Sequence, residues 1–411
     1  MKKRILFLCA PVLAGALGLG ATAASCGGSS SSQPPPTTAA QTQFLQSAGQ
    51  CAVNLYASFA QAAAALSSAS ATLAADPSAA NREAARAAWV AAIDLWQQAE
   101  VFQFGPAAPS TAPGGQGLRD ELYAWPLSSR CTVEQTLVAQ TYANPATFAA
   151  DRRASVRGLA TLEYLLYSDD TANACAASAD INDSQTWAAI VPELPARRAA
   201  YAAVAAAEVA AKAQTLADAW APEKGNFAGQ LATAGSGSAT FGSGQLALNA
   251  VSDALFYVEL EVKDQKLAIP LALSMTRGCA TPVNGICPGT LESPFANRSQ
   301  RHVRNNLVGF RKLFSGCDDD AGNGLGFDDL LTGSGPAGAQ LSAVMTERLT
   351  ASFAALDALP EGAMTDASLP AQKALVTQVF SYVSDVVSQM KAQFISLLDL
   401  ELPKRAEGDN D

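Results

Sequence analysis

The stretch Arg86-Ala87-Ala88-Trp89-Val90-Ala91-Ala92-Ile93-Asp94-Leu95-Trp96-Gln97-Gln98-Ala99-Glu100 decides the architecture. Trp89, Ile93, Trp96 and Glu100 recur at helical spacing and share one face of an α-helix. Alanine fills much of the remainder, as it does at 62–65 and 205–207. It is the best helix former and costs almost no side-chain entropy. The same pattern predicts helices over 42–75, stopped by Asp76-Pro77, and over 78–104, ended by Gly105-Pro106. Further helices are expected over 151–168, 183–220 (broken near Pro192 and Pro195), 244–275, 296–315, 337–358 and 369–400. The last carries Leu375, Val379, Tyr382, Val386, Met390 and Leu397 on one face. Residues 117–150 read as short helices and turns. Long helices with short links imply an all-α protein of two helical bundles packed together, 42–234 and 245–403. The Gly/Ser-rich link 235–244 separates them, and 404–411 form a disordered tail.

The chain has 411 residues, of which 49% are hydrophobic and only 16% charged. A formal charge of −10 argues against a nucleic-acid partner, which is held by neutralising phosphates. The single histidine, His302, excludes catalytic or zinc machinery built on several imidazoles.

Residues 1–25 read as an export signal: Lys2, Lys3 and Arg4 precede an apolar run from Ile5 to Ala21, and Ala23-Ala24-Ser25 precede Cys26. Small residues before a cysteine mark lipoprotein processing, which would leave Cys26 lipid-linked; Ala23 stands where leucine is usual. Residues 26–41, rich in Gly, Ser and Pro, would be the tether. A transmembrane anchor and a soluble form cut elsewhere are the alternatives. Cleavage removes three cations and takes the charge from −10 to −13.

Six cysteines remain in the mature chain, and an even number in an exported protein points to disulfides, with fifteen possible pairings. Cys279 and Cys287 flank a Pro/Gly-rich loop and should pair. Cys131 and Cys175 bracket one segment, which leaves Cys51 with Cys317. No CxxC spacing supports metal ligation instead.

Four segments carry candidate chemistry. In Arg157-Gly158-Leu159-Ala160-Thr161-Leu162-Glu163, a carboxylate lies beside an apolar stripe and needs a partner or a raised pKa. A glycine inside a helix suggests close approach. The plainer reading pairs Glu163 with Arg153 or Arg157 and puts Gly158 at a helix crossing. In Glu292-Ser293-Pro294 through Asn306, Ser293 reads as a helix start, Val303, Leu307, Phe310 and Phe314 as core, and Asn306 as an amide in search of a partner. His302, beside Arg301, reads as a solvated or hydrogen-bonded flank residue. In 259–267, Glu261 and Asp264 are i,i+3 neighbours, and a charged outer face is the favoured reading. In 317–329, Asp318, Asp320 and Asp329 fall at calcium-loop positions, but Gly322 and Asn323 break the pattern, which favours a solvated acidic loop.

Taken in order, Trp96-Gln97-Gln98 through Phe104-Gly105-Pro106, Trp125-Pro126, Arg157-Gly158 through Leu166, Asp264-Gln265-Lys266-Leu267 with Pro270, and Glu292-Ser293 through Asn306 to Gly316 resemble the imelysin-like family, exported helical proteins of bacteria. The resemblance implies two four-helix-bundle domains with a ligand site at their junction, a link to iron, and a metallopeptidase assignment. The site residues it implies are Arg157, Gly158, Glu163, Glu292, Ser299 and Asn306, with Glu163 as the retained metal-side position. The family's hallmark is G-x-H-x-x-E, and here Ala160 replaces its histidine. The expectation is therefore a non-catalytic, lipid-anchored, periplasm-facing protein that binds iron or an iron chelate. A metallopeptidase and a structural lipoprotein with a vestigial site are the alternatives.

Overall fold

The computed structural model describes residues 37–151, 153–273, 279, 281–403 and 406, with Ala149 and Asp151 by backbone alone. The export signal, Cys26, most of the tether and all of the tail but Ala406 lie outside the described residues. The fold is all-α. Its principal helices are α1 (Ala39–Ala75), α2 (Ala79–Ala99), α3 (Gly158–Tyr167), α4 (Leu194–Trp220), α5 (Gly244–Leu255), α6 (Ser299–Ser315), α7 (Pro336–Ala358) and α8 (Leu369–Gln389). Among the described residues no helix is long and apolar enough to cross a membrane.

Residues 39–41, expected in the tether, are helical. Thr38 and Gln41 close a reciprocal capping box, each side chain taking the other's backbone N–H. Ser78 caps α2 the same way on one side. α1 packs along α2 and α4, and α3 packs on α2 and α4. In the second half α8 packs on α7 and on the segment Val258–Ala268, which in turn lies on α6. The described residues cluster as one compact unit, and α2 explains how. Its stripe of Trp89, Ile93, Trp96 and Glu100 is wholly buried, and α2 touches α1 and α3 on one side and α6 on the other. Gly309 permits that last crossing: a Cβ there would stand 2.3 Å from the Gln98 carbonyl.

The 235–244 link is a held turn. Gln230 Oε1 accepts from Ser238, Ala239 and Thr240, and Phe241 is buried. Disulfides join Cys51–Cys317, Cys131–Cys175 and Cys279–Cys287.

Three expectations are corrected. The helix over 244–275 is α-helical only to Leu255, and Val258–Ala268 is a π-helix. That segment is no charged outer face, because Glu259, Lys263, Asp264 and Lys266 are buried in ion pairs. The wider π turn, with i→i+5 bonding, changes which side chains share a face, so an α-periodic reading misplaces them. On α8 the core stripe runs through Val376, Val379, Val383, Val386, Val387 and Met390, while Leu375 is 45% exposed and Tyr382 half-buried. The buried face thus keeps the expected Val379, Val386 and Met390 (just past the end of α8) and takes in Val376, Val383 and Val387 where Leu375 and Tyr382 were expected.

Candidate functional site

Four pieces of chain meet at one point: the C-terminal turns of α2, the helix α3, the π segment, and the 291–298 turn that leads into α6. Trp89 fixes α2 to α3, its indole N–H donating to the Leu159 carbonyl at 2.9 Å. Gly158 opens α3 with φ +77°, and a Cβ there would lie 2.5 Å from the Leu122 carbonyl. Its glycine is thus required by backbone conformation and by packing, not by a ligand. Gly158→Ala is expected to cost about 2–3 kcal/mol; urea denaturation checks it, and a loss below about 0.5 kcal/mol contradicts the geometry.

Glu163 projects from α3 and is buried. Its Oε1 accepts from Ser293 Oγ, Phe295 N–H and Ala296 N–H, each at 2.9 Å. Ser293 therefore does not start a helix as expected. The chain turns through Pro294–Arg298 so that its amides and the Ser293 hydroxyl converge on this carboxylate, and α6 begins only at Ser299. Ser299 Oγ supports the turn by accepting the Ser293 N–H at 3.2 Å. Burial pushes the Glu163 carboxyl up to about 7, against the opposing effects of the Ala296 amide, His302 and Ser293.

Glu292 is the second buried carboxylate. Its Oε1 accepts from Tyr123 Oη at 2.7 Å and Gln97 Nε2 at 2.9 Å, and Lys266 Nζ lies 2.9 Å away. Nδ1 of His302, which is fully buried, stands 3.2 Å from Oε2. Burial alone would raise this carboxyl; Lys266 and His302 overcome it and hold it well below the usual range. Lys266 also donates to Gln97 Oε1 at 2.8 Å and Asn306 Oδ1 at 2.7 Å. Asn306 finds its partners in α2, donating to the Gln97 carbonyl at 2.7 Å. Neighbouring environments thus push two carboxylates apart, one anionic and one poised near neutrality.

Both glutamates line a cavity of about 820 Å³ whose wall also includes Arg130, Trp125, Phe295 and Ala160. The position at which the motif loses its histidine therefore opens onto this space. Of the sequence-derived candidates, Glu163, Glu292, Ser299 and Asn306 come together. Arg157 does not join them: its guanidinium pairs with Glu121 at 3.0 Å and with Glu208. Among the described residues Glu163 pairs with neither Arg153 nor Arg157, its partners being Ser293 and the Phe295 and Ala296 amides. Sequence reasoning missed Gln97, Tyr123 and Lys266, and it left His302 as a solvated or hydrogen-bonded flank residue, which here is buried against Glu292. Gln97 and Lys266 stand inside the phrases that carried the resemblance, which was the available signal. The acidic loop keeps its reading: Asp319 accepts from Ala321 and Asn323, and Asp320 pairs with Lys312. Among the described residues no three His, Cys, Asp or Glu side chains converge to hold a metal.

Residues 52–390 match the family described as Imelysin (Peptidase_M75). The chain is 25% identical over 351 residues to Iron-regulated protein A of Synechococcus elongatus, covering 85% of this chain and 84% of that protein. It also superposes on the crystal structure of an imelysin-like protein from Psychrobacter arcticum 273-4. The TM-score there is 0.64 at 20% identity, covering 89% of this chain and 98% of the other.

Proposed function

The chain belongs to the imelysin family, and from that premise we propose that it is a non-catalytic binding protein whose ligand enters the cavity walled by Glu163 and Glu292. The observation that carries the reading is the meeting of these two carboxylates, 129 residues apart in sequence, on one cavity of ligand size. The similarity to Iron-regulated protein A suggests an iron-bearing ligand. A chelate fits better than a bare ion. Glu163 Oε1 is saturated by three donors and Glu292 is held by Lys266, so neither is arranged as part of a metal's ligand set, whereas a chelate brings its own. Cys26 would anchor the protein to a membrane, with the helical body in the periplasm or outside the cell.

The peptidase reading has the family description behind it. A metal hydrolase, however, needs a protein-built ligand shell with an open position, and Ala160 supplies none at the motif's histidine. Ala160 also offers the test. Ala160→Phe projects a ring into the cavity and is expected to abolish calorimetric binding of ferric chelates while leaving the urea midpoint within about 0.2 M. Undiminished binding by a folded Ala160→Phe protein would place the ligand elsewhere.

A further inference from the structure

The cavity wall holds more hydrogen-bond donors than it uses. Arg130 commits Nε to Glu134 at 2.8 Å, and Nη2 to Asp170 at 3.1 Å and the Ala172 carbonyl at 3.0 Å. Its Nη1 has no partner among the described residues. The same is true of the Ser128 hydroxyl, the Trp125 indole N–H and the Gln265 amide nitrogen, all on this wall. None of the four is an enclosed atom, so each is open to a ligand. The charge of Arg130 is not used up by its two carboxylates. Arg198 shares them, its Nη2 reaching Tyr164 Oη at 3.2 Å and the Asp170 carbonyl at 2.6 Å, which makes two cations against two anions. The Arg130 guanidinium also stands 5.7 Å from the Phe295 ring, and the Phe295 N–H is one of the donors to Glu163.

The acidic residues of the wall leave these donors free. Glu292 has its cation in Lys266 at 2.9 Å, and its Oε2 is enclosed against His302. Asp366 is exposed, where solvent screens it, and accepts the Gly289 N–H at 2.9 Å. Glu163 keeps its proton up to about pH 7. Three donors already occupy its Oε1, so the proton belongs on Oε2, and that oxygen becomes a further donor. We propose that the cavity recognises its ligand through a carboxylate, held by Arg130 Nη1 and the Ser128 hydroxyl, while Trp125 and Gln265 donate to further oxygens of the same molecule. A guanidinium is the side chain best suited to a carboxylate, and a bond to an ionised acceptor is about twice as strong as a neutral one. The proposal rests on the cavity being the binding site. It adds that a carboxylate on the ligand, and not the iron centre alone, sets affinity.

The test is calorimetry on the mature chain at pH 6, where Glu163 keeps its proton, with three probes. Two are ferric trihydroxamates that differ only at the tip of one side arm, a carboxylate in the first and the primary amide in the second. The third is citrate without iron. The carboxylate complex is expected to bind about tenfold or more tightly than the amide, the value of one charge-assisted contact. Arg130→Gln should close that gap. Ser128→Ala, which removes a hydroxyl that the fold does not use, should narrow it. Equal affinity for the two complexes overturns the proposal and leaves the cavity reading standing. A gap untouched in a folded Arg130→Gln protein overturns it as well; if that variant does not fold, an untouched gap in Ser128→Ala does so. Binding of citrate with neither complex sinks the iron reading and supports the carboxylate one. Failure of all three probes overturns both.

Discussion

Lys266→Met is expected to cost about 3–5 kcal/mol of stability, the usual result of removing one partner of a buried ion pair. The lysine is fully enclosed, and three acceptors depend on it: Glu292 Oε1, Gln97 Oε1 and Asn306 Oδ1. They come from the 291–298 turn, α2 and α6, so one ammonium ties three elements. Trp125 and Tyr257 flank it, with ring centroids 5.5 and 5.6 Å from Nζ. Methionine keeps the bulk and the apolar stem but leaves a carboxylate without its cation. Glu292 is held ionised largely by Lys266, so in the variant it will take up a proton at higher pH, and the loss of stability will grow from acid towards neutral pH. The double variant Lys266→Met/Glu292→Leu should recover part of the loss, because removing both charges also removes the desolvation penalty. Urea denaturation at pH 5 and pH 8 measures all of this. A single-variant loss under about 1 kcal/mol would mean that the network is ornamental to the fold.

Glu163→Gln has the opposite effect on stability. The folded protein holds the Glu163 proton up to about pH 7, against an ordinary value of 4.5. A carboxyl raised in this way stabilises the fold fully below its unfolded value, and that contribution is lost as pH rises from about 4.5 to about 7. Glutamine keeps an oxygen for Ser293, Phe295 and Ala296 and has no proton to lose. Each tenfold difference in proton affinity between the folded and unfolded chain is worth roughly 1.4 kcal/mol. The variant should therefore match wild type near pH 4.5 and exceed it by about 3 kcal/mol at pH 8. Other titrating groups are common to both proteins and cancel in the difference. A difference that does not change with pH would mean that Glu163 ionises as an ordinary carboxylate. The expected cost at pH 8 is that of a residue kept for binding and not for folding.

The sequence carried the helices because their signals are local. Trp89, Ile93 and Trp96 repeat at helical spacing, and Asp76-Pro77 and Gly105-Pro106 stop the chain where backbone chemistry requires. It carried Glu163 and Asn306 because a polar group on or beside an apolar stripe is anomalous in one dimension, and Glu292 only through the family resemblance. It did not carry Lys266, since a lysine among Glu259, Glu261, Lys263 and Asp264 looks like a solvated face until the π turn and its packing are known. Nor did it carry the role of Ser293. Serine before proline has the chemistry of a helix cap, and only the tertiary approach of α3 offers it a better acceptor in Glu163. Arg157 failed for the complementary reason: adjacency to the motif suggested the cavity, but Glu208 on α4 and Glu121 lie on the other side of the chain and claim its guanidinium.

The most direct measurement is anomalous diffraction at the iron edge from crystals of the mature chain grown with a ferric trihydroxamate chelate. The proposed function predicts one iron peak inside the cavity bounded by Glu163, Glu292 and Phe295. An iron peak outside that cavity, or no peak at saturating chelate, would contradict it.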